Sequence, residues 1–194
     1  GGKNTGEHEV TFAEIQRKAQ PAWKEFAGGE RPRILVGTGT CGRAAGAMEV
    51  MDSIRRYLAD HGMDALVAEV GCLGLCYAEP LVELSRPGGP RVLYGGLSPS
   101  GCAELMSDFY EKGNPRPDLA LAVMDGGPCA GIPTFHEHPM LAGQVRIVLR
   151  NCGLIDPGNI DHYIGSGGYA GLSKALAMPP EKVIEEVKNS GLRG

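Results

Sequence analysis

The sequence has no run of the roughly 18–20 consecutive apolar residues that a membrane-spanning helix needs, so membrane insertion is not expected. It also lacks an excess of positive charge, since it has 19 Lys and Arg and 23 Asp and Glu, a formal net charge of −4. This balance argues against a nucleic-acid partner. Its first residues do not show the charged-then-apolar pattern of a secretory signal. A cytoplasmic location is therefore expected, with the six cysteines as thiols or metal ligands rather than disulfides.

Three of the cysteines lie in two glycine-containing segments. Cys41 ends the segment GTGTC at residues 37–41, and Cys72 and Cys76 have three residues between them in GCLGLC at residues 71–76. Thiolates are soft donors that suit iron–sulfur clusters, and glycines let the backbone bend around a cluster and donate N–H groups to its sulfides. A [2Fe–2S] cluster ordinarily takes four cysteines, however, and only three are visible.

These residues resemble the thioredoxin-like [2Fe–2S] ferredoxins, the family that contains the 24 kDa subunit of respiratory complex I. That family pairs a Cys-x4-Cys with a Cys-x3-Cys. Cys72 and Cys76 match the second pair, Cys41 matches the second member of the first, and the remaining position is Val36, which cannot bind iron. The resemblance therefore implies Cys41, Cys72 and Cys76 as [2Fe–2S] ligands with the fourth ligand missing at Val36. Such a cluster is expected to be labile or absent.

Several donors could replace the missing thiolate: water, a hydroxyl from Thr38 or Thr40, or a cysteine from elsewhere. Cys129 is the only outside cysteine that the sequence offers for this role, since Cys102 and Cys152 are expected to pack as small hydrophobic residues.

Residues 145–194 resemble a different family, the opening of the NADH- and FMN-binding 51 kDa subunit of complex I. Its soluble relatives occur in hydrogenases, formate dehydrogenases and bifurcating reductases, often with a ferredoxin domain fused in front. The matching segments are VRIVLRNCGLIDP, DHYIGSGGY and VIEEVKNSGLRG, which start at residues 145, 161 and 183. The family's glycine-rich flavin loop would follow residue 194. FMN and NAD are thus implied for the parent protein alone; no catalytic, FMN-binding or NAD-binding residue is expected in this chain.

The pattern of apolar residues predicts an α/β fold, a thioredoxin-like domain with a mixed sheet flanked by helices. Strands are expected at residues 33–37, 65–70, 81–84 and 91–94, and helices at 10–27, 43–61 and 98–112. The predicted organisation is an N-terminal helical segment (1–29), the ferredoxin-type domain (30–113), a Pro- and Gly-rich linker (114–144) that has one strand-like piece at 119–124, and the leading segment of the flavin module with short helices (145–194).

The sequence thus predicts the N-terminal part of an NADH dehydrogenase-type electron-transfer subunit, whose partners are other subunits of a multi-subunit oxidoreductase; a homodimer is left open. Two alternatives remain: a non-redox docking module for a partner subunit, and a thiol–disulfide redox protein based on Cys72 and Cys76. The latter usually has Cys-x-x-Cys spacing. His136 and His138 are interpreted as part of a surface loop rather than a zinc site.

Overall fold

The structure is a computed structural model that describes residues 10–125 and 129–194. Residues 1–9 of the predicted N-terminal segment and 126–128 of the predicted linker lie outside the described residues. The chain divides into two compact units, one comprising the described residues up to Lys24 together with Ile160–Gly194, the other Glu25–Asn159. Within the described part of the chain, no helix combines the length and apolar character that crossing a membrane requires.

A five-stranded mixed sheet forms the centre of the larger unit. Strands β1 and β2 are parallel, and the other neighbouring pairs are antiparallel, in the order β2-β1-β3-β4-β5. The strands are β1 Arg33–Gly37, β2 Leu66–Val70, β3 Val82–Ser85, β4 Arg91–Tyr94 and β5 Ala120–Asp125. A parallel β–α–β unit followed by an antiparallel hairpin and a helix confirms the predicted thioredoxin-like α/β fold. Strand β5 comes from the predicted linker, at its strand-like piece.

Seven helices occur in the described residues, besides a short 3-10 turn at Cys76–Ala78. They are α1 Phe12–Gly28, α2 Thr40–Ala44, α3 Ala47–Asp60, α4 Pro99–Tyr110, α5 Ile160–Gly165, α6 Ala170–Leu176 and α7 Pro180–Asn189. Helix α4 begins as predicted, because Ser98 accepts a hydrogen bond from the N–H of Gly101 (3.1 Å). The single helix predicted over 43–61 is wrong in one respect: the chain divides it into α2 and α3 at Gly46, whose φ of 96° only glycine adopts readily.

Apolar side chains pack on both faces of the sheet. On one face, Ile34 and Val36 of β1 belong to a cluster with residues of α3 and α4. On the other face, Leu81, Leu93 and Ala122 belong to a second cluster, which also takes in Leu73, Leu75, Phe135 and Leu141 from outside the sheet. Because neighbouring residues of a strand point to opposite faces, alternate strand residues enter different clusters. We call the two faces the helix face and the loop face.

A buried ion network lies at one end of the sheet. Glu83 accepts hydrogen bonds from Arg33 (3.2 Å) and from Arg91 (2.8 and 2.7 Å), and Arg91 also pairs with Asp125 (2.9 Å). Arg33 further donates to the carbonyl of Phe26 (2.7 Å) near the end of α1. These contacts compensate charges that would be costly to bury alone.

Candidate functional site

The two cysteine segments leave the sheet side by side. The parallel strands β1 and β2 end opposite each other, with Gly37 in register with Val70, and the N–H of Thr38 donates to the carbonyl of Val70 (3.1 Å). A Cβ atom on Gly39 would lie 3.3 Å from the Cβ of Cys72, so the loops are in contact at a position that favours glycine. The two cysteine segments therefore meet at one end of the sheet.

Cys72 and Cys76 form a close pair. Their Sγ atoms are 3.8 Å apart, and the N–H of Gly74 donates to the Sγ of Cys72 (3.2 Å). Gly74 has a φ of 92°, which allows the chain to turn tightly between the two cysteines. Burial raises the pKa of the Cys72 thiol, whereas Cys76 is exposed at the start of the 3-10 turn. The pair can therefore react with each other or share a soft metal ion.

Cys41 does not complete a metal site with this pair. It lies exposed in the first turn of α2. Within residues 10–125 and 129–194, no three His, Cys, Asp or Glu side chains are grouped closely enough to hold a metal ion. The structure therefore brings together two of the three sequence-predicted ligands.

Val36 occupies the position of the missing ligand, and its side chain is part of the hydrophobic core. It is fully buried in β1 and belongs to the cluster on the helix face. Leu73 and Leu75, which lie between Cys72 and Cys76, belong to the cluster on the loop face. Valine offers no donor atom to iron, and in the described residues Cys41 is not grouped with the Cys72–Cys76 pair. The residues of the described chain thus do not fit a [2Fe–2S] group held by four thiolates.

The three remaining cysteines are Cys102, Cys129 and Cys152, and the last of them lies closer to the cysteine loop than the sequence indicates. Cys102 is fully buried on α4, where burial raises its pKa to about 12, and this confirms the packing interpretation. Cys129, the outside ligand candidate, packs against the helix-face cluster. Cys152 lies beside the cysteine loop instead, with its Cα 4.0 Å from where a Cβ on Gly71 would be. The sequence carried no signal for this contact, which joins segments some eighty residues apart.

Thr38 and Thr40, whose hydroxyl groups are the other candidates for the missing ligand, lie just before and at the start of α2. The Thr38 hydroxyl donates to Glu69 (2.8 Å), and Arg43 of α2 donates to the same carboxylate (2.6 Å) and to the carbonyl of Thr38 (3.0 Å). Thr38 is therefore part of a network that holds the start of α2 against β2. Thr40 is the first residue of α2.

The interpretation of residues 136–138 as a surface loop is wrong for His138. Its side chain is buried, its Nδ1 accepts from the N–H of Met140 (3.3 Å), and its Nε2 lies 3.2 Å from the hydroxyl of Tyr77. Since Tyr77 follows Cys76, this contact ties the segment after β5 to the cysteine loop. His136 is exposed, as predicted.

Glu79 is the functional candidate that the sequence analysis missed. Its carboxyl is buried below both loops: Oε2 accepts from the N–H of Leu81 (2.9 Å) and lies about 3 Å from the Cβ positions of Gly37 and Gly42. In the described residues, Oε1 has no hydrogen-bond partner. Burial raises the pKa of Glu79 against the opposing effects of the Leu81 hydrogen bond and of the nearby Cys72 side chain. The signal was a lone acidic residue between apolar neighbours, in the segment YAEPLV.

Glu79→Gln is expected to make the protein more stable relative to the parent as the pH rises. A carboxyl whose folded-state pKa is raised contributes stability that is complete below its ordinary value of 4.5 and is lost as the pH passes through the folded-state pKa. Glutamine does not titrate and still accepts from Leu81. Urea unfolding from pH 4.5 to neutral pH measures the difference. Glu104→Gln, on the exposed side of α4, is the control and should show no such trend. A difference independent of pH would contradict the argument.

Comparison with known proteins adds sequence relatives. No protein-family model matches the sequence. The chain is 30% identical over 107 residues to the NADP-reducing hydrogenase subunit HndB of Solidesulfovibrio fructosivorans, a match that covers 54% of this chain and 85% of the relative. It is 59% identical over 51 residues to the NADP-reducing hydrogenase subunit HndC of the same organism, covering 26% of this chain and 10% of that protein.

Two solved structures of the thioredoxin-like [2Fe–2S] ferredoxin from Aquifex aeolicus are similar to this chain, both at 20% identity. One has a TM-score of 0.41 and covers 48% of this chain and 98% of the ferredoxin; the other has a TM-score of 0.43 and covers 52% and 97%.

Proposed function

Because this chain belongs to the family of the NADP-reducing hydrogenase subunit HndB, we propose that it is an electron-transfer subunit of a multi-subunit, hydrogenase-type oxidoreductase. Its partners are the other subunits of that assembly. Its thioredoxin-like domain acts there as a docking domain and does not carry a [2Fe–2S] cluster of its own, so that electrons pass through redox groups held elsewhere in the assembly.

One observation supports this assignment of the domain most strongly. The position of the missing ligand, Val36, packs on the helix face, whereas the loop between Cys72 and Cys76 packs on the loop face. With valine at position 36, and with Cys41 not grouped with the Cys72–Cys76 pair in the described residues, a site of four thiolates is not formed there. The domain does retain a well-packed sheet, so it remains suited to holding a partner.

An exposed apolar segment supports the presence of partner subunits. Val145, Ile147, Val148 and Leu149 are 86%, 74%, 93% and 54% exposed. Contiguous apolar side chains are seldom left in water unless another molecule covers them. We propose that a partner subunit does so here.

This apolar segment belongs to residues 145–194, to which the likeness to HndC is relevant. The match to HndC extends over 51 residues, which is close to the length of the segment 145–194 that the sequence assigns to the opening of an NADH- and FMN-binding subunit. We propose that the HndC likeness lies in this segment. FMN and NAD are then bound by the parent assembly and not by residues 10–194.

Affinity purification of a tagged copy from the source organism tests the proposal. Hydrogenase subunits should co-purify, as identified by mass spectrometry, and hydrogen-dependent reduction of NAD(P)⁺ should elute in the same fraction. A preparation that contains this chain alone, while that activity elutes elsewhere, would contradict the proposed role.

A thiol–disulfide function is the second candidate, and the separation of the Cys72 and Cys76 Sγ atoms favours it. At 3.8 Å the two sulfurs are already in contact, and a disulfide requires them to approach to about 2.05 Å. A partner disulfide would accept the two electrons and leave as two thiols.

Treatment with oxidised glutathione is accordingly expected to join Cys72 to Cys76. Two fewer thiols should then be titratable, and peptide mapping should find the cross-link at these two residues while Cys102, which is fully buried, remains reduced. Cys76→Ser is the matched control and should stop at a mixed disulfide with glutathione. If the parent also stops there, the pair does not act as a redox couple.

A further inference from the structure

A cavity of about 260 Å³ lies beside the cysteine loop, within the unit Glu25–Asn159. Its apolar wall is formed by Leu73, Phe135 and Leu154, of which the first two are buried members of the loop-face cluster. Phe135 and His136 meet edge to face, with ring centroids 5.8 Å apart. This wall can accept a flat apolar group, which aromatic rings contact favourably.

Basic side chains surround the same cavity. Arg91, Arg146, Arg150 and His136 line it, and no Asp or Glu does so within the described residues. Arg91 is neutralised by Glu83 and Asp125. The guanidinium groups of Arg146 and Arg150 have no carboxylate partner among the described residues. The cavity therefore carries uncompensated positive charge.

Arg146 is held in place without being neutralised. It donates to the carbonyls of Leu73 (3.0 Å) and Leu149 (3.2 Å), and its guanidinium lies 5.7 Å from the ring centroid of Phe135. These contacts use only part of its five N–H donors, and a planar guanidinium with free donors is well suited to bind an anion. Arg150 makes no hydrogen bond or ion pair with the described residues and can move toward a ligand.

We propose that this cavity binds a small aromatic anion: a heteroaromatic ring that rests against the apolar wall and carries a phosphate group bound by Arg146 and Arg150. The aromatic wall alone would accept a neutral ring, and the two arginines alone would accept inorganic phosphate. Their combination at one cavity selects a ligand that has both groups, such as a nucleoside monophosphate. This inference does not depend on the proposed function.

Cys152 provides a direct report of binding because it also lines the cavity and is partly exposed. AMP is expected to slow alkylation of Cys152 by iodoacetamide several-fold, as followed by mass spectrometry of the protein. Cys41, which is exposed and outside the cavity, is the internal control and should react at an unchanged rate. Adenosine and inorganic phosphate, each at the same concentration, should protect much less.

Two variants test the assignment of the anion contacts. Arg150→Gln should weaken AMP binding about tenfold, as expected for loss of a charge-assisted hydrogen bond. Because Arg150 makes no hydrogen bond or ion pair with the described residues, we expect the variant to fold like the parent. Arg17→Gln, on the exposed surface of α1, is the matched control and should bind AMP like the parent. Absence of Cys152 protection by AMP, equal protection by adenosine or by phosphate, or unchanged affinity in Arg150→Gln would each overturn the proposal.

Discussion

Glu83→Ala is expected to lower the free energy of unfolding by about 3–5 kcal/mol, the usual cost of removing one partner from a buried ion network. Glu83 is 3% exposed and is the shared acceptor of Arg33 and Arg91. Without it, the guanidinium of Arg33 would remain buried with only backbone carbonyls as acceptors. Urea unfolding at neutral pH measures the loss.

Glu104→Ala is the control for this prediction, because Glu104 is exposed on α4 and should cost less than about 0.5 kcal/mol when truncated. If the two substitutions prove equally mild, the network at the end of the sheet does not contribute to stability in the way its geometry indicates.

Gly42→Ala is the second large effect, and it concerns the candidate site itself. Gly42 is buried in α2, and a Cβ there would overlap the carbonyl oxygen of Gly37 and lie 3.1 Å from Oε2 of Glu79. Since a backbone carbonyl cannot move aside cheaply, the first cysteine loop must shift, at a cost of about 1–3 kcal/mol. Thermal unfolding measures the cost, and hydrogen exchange at residues 37–41 reports the shift of the loop.

Gly28→Ala is the matched control, because a Cβ at that position in α1 would meet no atom within 4 Å. It should leave both stability and exchange at residues 37–41 nearly unchanged. A Gly42→Ala protein as stable as this control would show that the loop is not packed as described.

The strands and the two cysteine segments could be predicted because their signals are local. Residues 33–37 and 81–84 are short apolar runs with turn residues beside them, and glycines flank the cysteines. The face on which Val36 packs could not be predicted. Ile34, Leu35 and Val36 are all apolar because β1 is buried on both faces, so the sequence shows no alternation from which to assign a face.

Contacts between residues far apart in the sequence could not be predicted either. Cys129 and Cys152 both lie in segments without clear periodicity, and their distance from the cysteine loop depends on how those segments return to the sheet. Glu79 was missed for a similar reason, since its importance comes from burial below two loops rather than from a spacing motif. The break at Gly46 is not predicted either, because the small residues on both sides of it are compatible with one continuous helix.

The most direct test of the central claim is the iron and acid-labile sulfide content of the protein after anaerobic reconstitution, recorded with its visible spectrum. Because Val36 packs on the helix face and Cys41 is not grouped with Cys72 and Cys76, we expect iron well below one atom per chain and no ferredoxin-like absorption. Close to two irons and two sulfides per chain, with the absorption of a [2Fe–2S] centre, would contradict the account and would require a fourth ligand that the described residues do not bring to this site.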